Sequence, residues 1–299
     1  MRGILNVLKP PGMTSHDVVA AVRRILPKKT KVGHAGTLDP AAAGVLVVCL
    51  GAATKLVEYI VDGEKAYRAE VTLGISTNSL DADGVVTAEA DASEIDEDAA
   101  RNAVAGLVGD QMMTPPMHSA VRIGGQRLYE LARQGADIDR AARPVTVYSA
   151  ELAGFTPGAR ATITTDIRSS KGTYVRVLAE QIGAALGVPA HLSFLVRTAV
   201  GPHELAGSAT LEEIQEARER ESLDELFVPA SVALEHFPHI ALAESDAVAF
   251  RNGNARRVDV DVDGLARVHD ADGQLLGVGE VIDDETRGRL LHPRKVLSA

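Results

Sequence analysis

The sequence predicts an α/β chain in two units, a larger body of interleaved strands and helices and a small β-rich module behind it. Three observations carry that prediction. Residues 66–74, AYRAEVTLG, set Tyr67, Ala69, Val71 and Leu73 against Arg68, Glu70 and Thr72, the period-two pattern of a half-buried strand. Val18, Val19, Val22, Ile25 and Leu26 fall instead on one face of a helix. From Phe237 onward, short strand-like pieces alternate with NGN, DVDG and DADG turns. A length of 299 residues favours two domains over one, here a body of 1–230 and a module of 237–299.

Taken in order, Ile4 to Leu8 reads as a short strand closed by Lys9-Pro10-Pro11-Gly12. Thr14 with Asp17 three residues on is a capping-box pattern, and the helix it opens runs into Arg23, Arg24, Lys28, Lys29 and Lys31. That basic stretch fits either cations at a helix C-terminus or contacts to phosphates. GHAGTLDP (33–40) reads as a loop, and the apolar run Gly44 to Leu50 as a buried strand. Pro40 biases Asp39 to an extended backbone, so a carboxylate stands at a loop–strand junction. There it either faces a cleft on rigid support or merely helps to turn the chain.

Thr54 to Ile60 reads as a short helix. Residues 81–100 are acidic and loop-like, with Ser93 and Asp96 as a candidate cap for a helix running to Val108. Residues 109–144, rich in Pro, Gly, Met and Arg, read as a long excursion with a helix from Arg127 to Gln134 that Gly135 terminates. Val145 to Phe155 and Ala161 to Ile167 are β-like. In SSKGTYVRVLAEQIGAALG (169–187) an extended entry gives way to a helix. Tyr174 and Arg176 point the same way if both are extended, and diverge if both are helical. AHLSFLVRTAVG (190–201) is a further strand, and Thr210 opens a charged helix reaching about residue 226.

Composition narrows the function classes. The single cysteine, Cys49, lies in an apolar run, which excludes an intrachain disulfide and a cysteine-based zinc site. The N-terminal stretch is interrupted by Lys9-Pro10-Pro11 and lacks a signal-peptide core, and no uncharged run is long enough for a bilayer, so a soluble cytoplasmic protein is expected. The formal charge of −10 is segregated. Residues 1–80 carry ten Lys/Arg against six Asp/Glu, residues 81–100 eight acids and no base, residues 101–210 eleven bases against eight acids, and residues 211–299 ten against nineteen. Most of the first two-thirds is therefore mildly basic and open to a polyanion.

The motifs KPPGMTSHDVV, KVGHAGTLDPAAAGVL, AYRAEVTLG followed by TNSLDADG, PPMHSAVRIGGQRLYELARQG, SKGTYVRVLAEQIG and HLSFLVRTAVG occur in the order found in one family. In them the chain resembles the bacterial tRNA pseudouridine-55 synthases, the TruB branch of the pseudouridine synthases, through about residue 205. The C-terminal module resembles that family's PUA-type RNA-binding module more weakly, and it is acidic here. The resemblance implies a pseudouridine synthase fold with a mixed, largely antiparallel sheet, and isomerisation of a T-loop uridine in tRNA after base flipping. It implies no cofactor and no metal, a tRNA T-arm as partner, no membrane and no obligatory protein partner, and a monomer.

By family position Asp39 is the essential carboxylate, attacking C1′ or C6 or assisting departure of the base. Tyr67 stacks on the flipped uracil and Leu195 forms a wall, while Tyr67 or Tyr174 helps remove the C5 proton. Arg176 pairs with Asp39, His34 meets the flipped nucleotide, and Lys55 and the 109–144 arm contact RNA backbone. The rival expectations are an RNA-binding or remodelling protein without catalysis, and a nucleoside hydrolase using the same acid.

Overall fold

The computed structural model describes residues 3–119, 121–133, 136 and 138–297. The body opens with β1 (Gly3–Lys9), α1 (Ser15–Ile25), β2 (Val32–Ala35) and β3 (Ala43–Leu50). A 3₁₀ stretch over Gly51–Leu56 runs into the single turn α2 (Val57–Ile60), so the helix expected there is half a tighter coil. After β4 (Lys65–Leu73) come a hairpin, β5 (Ile75–Thr77) and β6 (Val86–Glu89), then α3 (Glu97–Ala105) and β7 (Gly109–Met113). A second small hairpin, β8 (Arg122–Ile123) and β9 (Gln126–Arg127), leads to α4 (Leu128–Arg133). The expected helix end at Gln134 and Gly135 lies outside the described residues. The body closes with β10 (Arg143–Thr156), β11 (Thr162–Ser169), α5 (Val175–Leu186), β12 (Ala190–Val200), β13 (His203–Glu204), α6 (Leu211–Glu219) and β14 (Phe227–Val228).

These strands form one sheet in the order β14-β1-β3-β12-β4-β11-β10-β7, with β2 added to β3 and β13 to β12. The β3–β12 pair is parallel and the other pairs are antiparallel, so the sheet is mixed and largely antiparallel. α1 covers one face with Val18, Val19 and Val22 buried, and its capping box is complete, the Asp17 N–H donating to Thr14 Oγ1 at 3.0 Å and the Thr14 N–H to Asp17 at 2.9 Å. α3 is capped by Asp96, which accepts the Ala99 N–H at 2.8 Å, rather than by Ser93, and it ends at Ala105. α6 stops at Glu219, well short of residue 226. The first five residues of the expected excursion are β7, the sheet's edge strand, so the arm proper begins after Met113.

The centre of the sheet depends on one glycine. Gly44 has φ +108°, and a Cβ there would meet the Arg197 carbonyl oxygen at 2.2 Å. Without a side chain, β3 and β12 close on each other with Arg197 opposite Gly44. β12 also carries irregularities between Leu192 and Phe194 and between Arg197 and Ala199. Such offsets re-aim side chains: Phe194 is exposed while Leu195 is buried.

Behind the body lie β15 (His239–Ala241), α7 (Glu244–Arg251), β16 (Arg256–Arg257), β17 (Gly264–His269), β18 (Leu275–Asp284) and β19 (Gly288–Val296). They form a five-stranded sheet, β15-β17-β18-β19-β16, around Ile240, Phe250, Val268, Leu276 and Leu291. This unit is not separate from the body. Val278 is buried in one cluster with Leu56, Ile60 and Leu234, and Leu265, Leu275 and Leu297 pack against it. Lys295 also pairs with Glu58 at 2.8 Å. No helix among the described residues is long and apolar enough to cross a membrane.

Candidate active site

Asp39 sits on the connection from β2 to β3, and three side chains hold that connection rigid. Ser15 Oγ accepts the Leu38 N–H at 2.9 Å and donates back to the Leu38 carbonyl at 3.0 Å. Lys9, fully buried, donates to the carbonyls of Pro10, Pro40 and Ala42 at 2.9, 3.1 and 2.6 Å. Arg197, also buried, donates to the carbonyls of Val45, Thr37 and Gly36 at 2.8, 3.3 and 3.1 Å. Backbone that would otherwise leave carbonyls orphaned is thus satisfied by cations fixed in the core. Burial lowers the Lys9 ammonium to about 8, with Asp39 opposing the shift.

Arg176 is the second pole. Tyr174 is the extended N-cap of α5 and Arg176 lies in its first turn, so the two share neither an extended nor a helical backbone. The Arg176 guanidinium, 5% exposed, pairs with Asp39 at 3.1 Å and with Asp81 at 3.1 Å. It also donates to the carbonyls of Ser79 and His118 at 3.3 and 2.9 Å. Desolvation in the cleft pushes the Asp39 carboxyl above the usual carboxylate range, Arg176 pulls it back, and Asp81 pushes it further up. The carboxylate is therefore held between a cation that favours its charge and surroundings that do not.

Two clefts of about 330 and 350 Å³ meet along Asp39, Arg176 and Leu195. The first is lined by Tyr67, Tyr174, Lys65, Lys171 and Arg197 as well. Tyr67 faces Arg197 across the β4–β12 pair. Burial raises the Tyr67 phenol, and the positive charge of Arg197 opposes the shift. The second cleft runs along Asn78 to Val85, His118 and Phe194.

Asp39, Tyr67, Tyr174, Arg176 and Leu195 therefore border one cleft. His34 and Lys55 do not. His34, on β2, lines an open groove with Arg23, Lys31 and Thr54, and burial lowers its pKa. Lys55 donates to the Val296 carbonyl at 2.8 Å, on the side facing the C-terminal unit. Sequence reasoning passed over Asp81, Lys9 and Arg197. Asp81 is hidden in an acidic run; the other two show only as charges within or beside apolar strands, a signal visible in hindsight at Lys9 and Arg197.

Comparison with known proteins gives three matching family models. TruB family pseudouridylate synthase (N terminal domain) matches residues 23–175, tRNA pseudouridylate synthase B C-terminal domain residues 176–235, and Pseudouridine synthase II TruB, C-terminal residues 238–297. The chain is 49% identical over 256 residues to the tRNA pseudouridine synthase B of Symbiobacterium thermophilum, which spans 86% of this chain and 83% of the relative. It is 43% identical to the protein of that name from Moorella thermoacetica, over 99% of each chain. A solved Cbf5-Nop10-Gar1 complex contains a chain that superposes with a TM-score of 0.77 at 27% identity, covering 99% of this chain and 84% of that one.

Proposed function

The chain belongs to the TruB family of tRNA pseudouridine synthases, isomerases of uridine in tRNA, and from that premise we propose that it acts on the T-loop uridine at position 55 with Asp39 as the essential carboxylate. The observation that supports this most is the Asp39–Arg176 pair, 3.1 Å apart, at the edge of a cleft whose other walls include Tyr67 and Leu195.

The reaction breaks the N1–C1′ bond, turns the uracil over, joins C5 to C1′, releases the C5 proton and returns a proton to N1. Nothing is oxidised, so the proposal includes neither cofactor nor metal. A uridine stacked in a folded loop must first be extruded, at a cost of a few kcal/mol. Tyr67 then offers a ring face to the base, and Leu195 an apolar wall. Closure by the base deepens the desolvation that already raises Asp39, while Arg176 sustains its ionised form. Carboxylates serve as nucleophiles at glycosidic carbons elsewhere, which makes C1′ a chemically sound target beside C6. The raised pKa of Tyr67 keeps it protonated at neutral pH, so its use as acceptor for the C5 proton needs Arg197 to stabilise the phenolate.

The same reading has the protein work on the T-arm as a cytoplasmic monomer without an obligatory protein partner, the body of 1–230 holding the chemistry and the PUA-like module of 237–299 assisting RNA contact. The test is tritium release from an unmodified tRNA transcript labelled at uracil C5. Wild type should release label from the T-loop uridine and Asp39→Asn should not. Binding without release by either protein would replace the enzyme with an RNA-binding protein. Equal release by both would move the carboxylate elsewhere.

A further inference from the structure

Lys171 stands at the mouth of the Asp39 cleft with no part in the chemistry above. It lines the cleft, and its side chain is 57% exposed. The turn that carries it, between β11 and α5, is built rather than loose. The Ser170 N–H donates to the Thr146 carbonyl and the Thr146 N–H to Ser170 Oγ, both at 2.9 Å. Thr173 Oγ1 donates to the Ser170 carbonyl at 3.1 Å, and Gly172 takes φ +83°.

The Lys171 ammonium is held by Asp62 at 2.6 Å, on the turn between α2 and β4. On the same turn Glu64 holds Arg168, of β11, at 2.9 Å. Lys65 pins that turn by donating to the carbonyls of Val61 and Gly63. Two carboxylates on one anchored turn thus cover two cations, of which Lys171 lines the cleft. The other cations that line it are committed inward, Arg176 to Asp39 and Asp81, Arg197 and Lys65 to backbone carbonyls. Lys171 alone among the four is itself exposed, and its carboxylate partner is open to solvent as well. Exposed pairs of this kind are weak and readily exchanged. A phosphodiester offers the same ammonium an equivalent partner and releases counterions as it binds.

We propose that Lys171 is a phosphate-binding residue for the RNA strand entering the Asp39 cleft, with Asp62 as its placeholder in the RNA-free protein. The proposal rests on the reading of the site as an RNA-modifying one, and names a contact within it. Arrival of a phosphate transfers the ammonium from Asp62 to the RNA backbone, and Asp62 is left to solvent beside Lys65 and His236, whose protonated forms its charge favours.

The experiment measures binding of the unmodified tRNA transcript to the full chain over a series of salt concentrations. The proteins compared are wild type, Lys171→Met, Lys171→Arg, Asp62→Asn and the Lys171→Met/Asp62→Asn double variant. Lys171→Met should weaken binding several-fold and reduce the slope of log K against log salt by about one, and Lys171→Arg should restore both. Asp62→Asn should do the opposite and tighten binding at low salt, and that gain should vanish in the double variant. Thermal melts should show all four folded. Unchanged affinity and slope in Lys171→Met, or an Asp62→Asn gain that persists without Lys171, would overturn the proposal. A wild type that neither binds the transcript nor releases tritium would instead overturn the proposed function, which separates the two failures.

Discussion

Replacing Arg176 with Met should unfasten the site from the inside. The guanidinium makes two ion pairs and two carbonyl hydrogen bonds while only 5% exposed. Removing one partner of a buried pair costs about 3–5 kcal/mol, because the other charge stays behind. The lower end applies here. Asp81 keeps the Ser79 hydroxyl and the Asp83 N–H as donors, and Asp39 is 44% exposed, so its pair is worth no more than about 1 kcal/mol. Two carboxylates would then share a cleft without their common cation, which pushes the Asp39 carboxyl further up. Urea unfolding should show the loss of stability, and tritium release should fall below detection. Adding Asp81→Asn should recover part of the stability, with a coupling above about 1 kcal/mol, but no turnover. An unchanged urea midpoint in Arg176→Met, or zero coupling to Asp81, would refute the idea that this arginine ties residues 78–81 to α5.

Gly44→Ala should cost about 3 kcal/mol or more by urea unfolding, since it combines a φ of +108° with a 2.2 Å approach to the Arg197 carbonyl. Tyr67→Phe should keep RNA binding and slow tritium release, while Tyr67→Ala should weaken binding too. Lys9 and Lys65 are lowered chiefly by burial to about 8, whereas the unfolded chain keeps these protons to about 10.5. Between those values the unfolded state binds more protons, so stability should rise with pH over that window and be flat in this respect below it. Urea midpoints from pH 7.5 to 10 read this directly, and Lys65→Met should remove its share of the rise.

What the sequence discloses is mostly local. β4 alternates in burial as its residues alternate in polarity, and the capping box at Thr14 and Asp17 is complete in the fold. Asp39 stands out because Pro40 and the apolar strand after it mark a junction. What stays hidden is tertiary. The first residues of GHAGTLDP read as a loop, yet Gly33, His34 and Ala35 belong to β2, formed by backbone pairing to Cys49, Val48 and Val47 that leaves no side-chain signature. Arg197 and Lys9 look like misplaced charges until the carbonyls of the Asp39 connection are seen around them. Asp81 gains its meaning from Arg176, 95 residues further on. His34 and Lys55 carry roles suggested by motif position, and the fold places them along the groove with Arg23 and Lys31 and against Val296 respectively.

The cluster in which Val278 meets Leu56, Ile60 and Leu234 has a consequence for how the molecule comes apart. Heat or denaturant cannot release the C-terminal sheet without baring apolar surface on the body. One heat-capacity peak is therefore expected, not two. A chain cut before β18 would carry an open hydrophobic scar behind α2, and would be drawn to chaperones or to copies of itself rather than persist as a smaller enzyme.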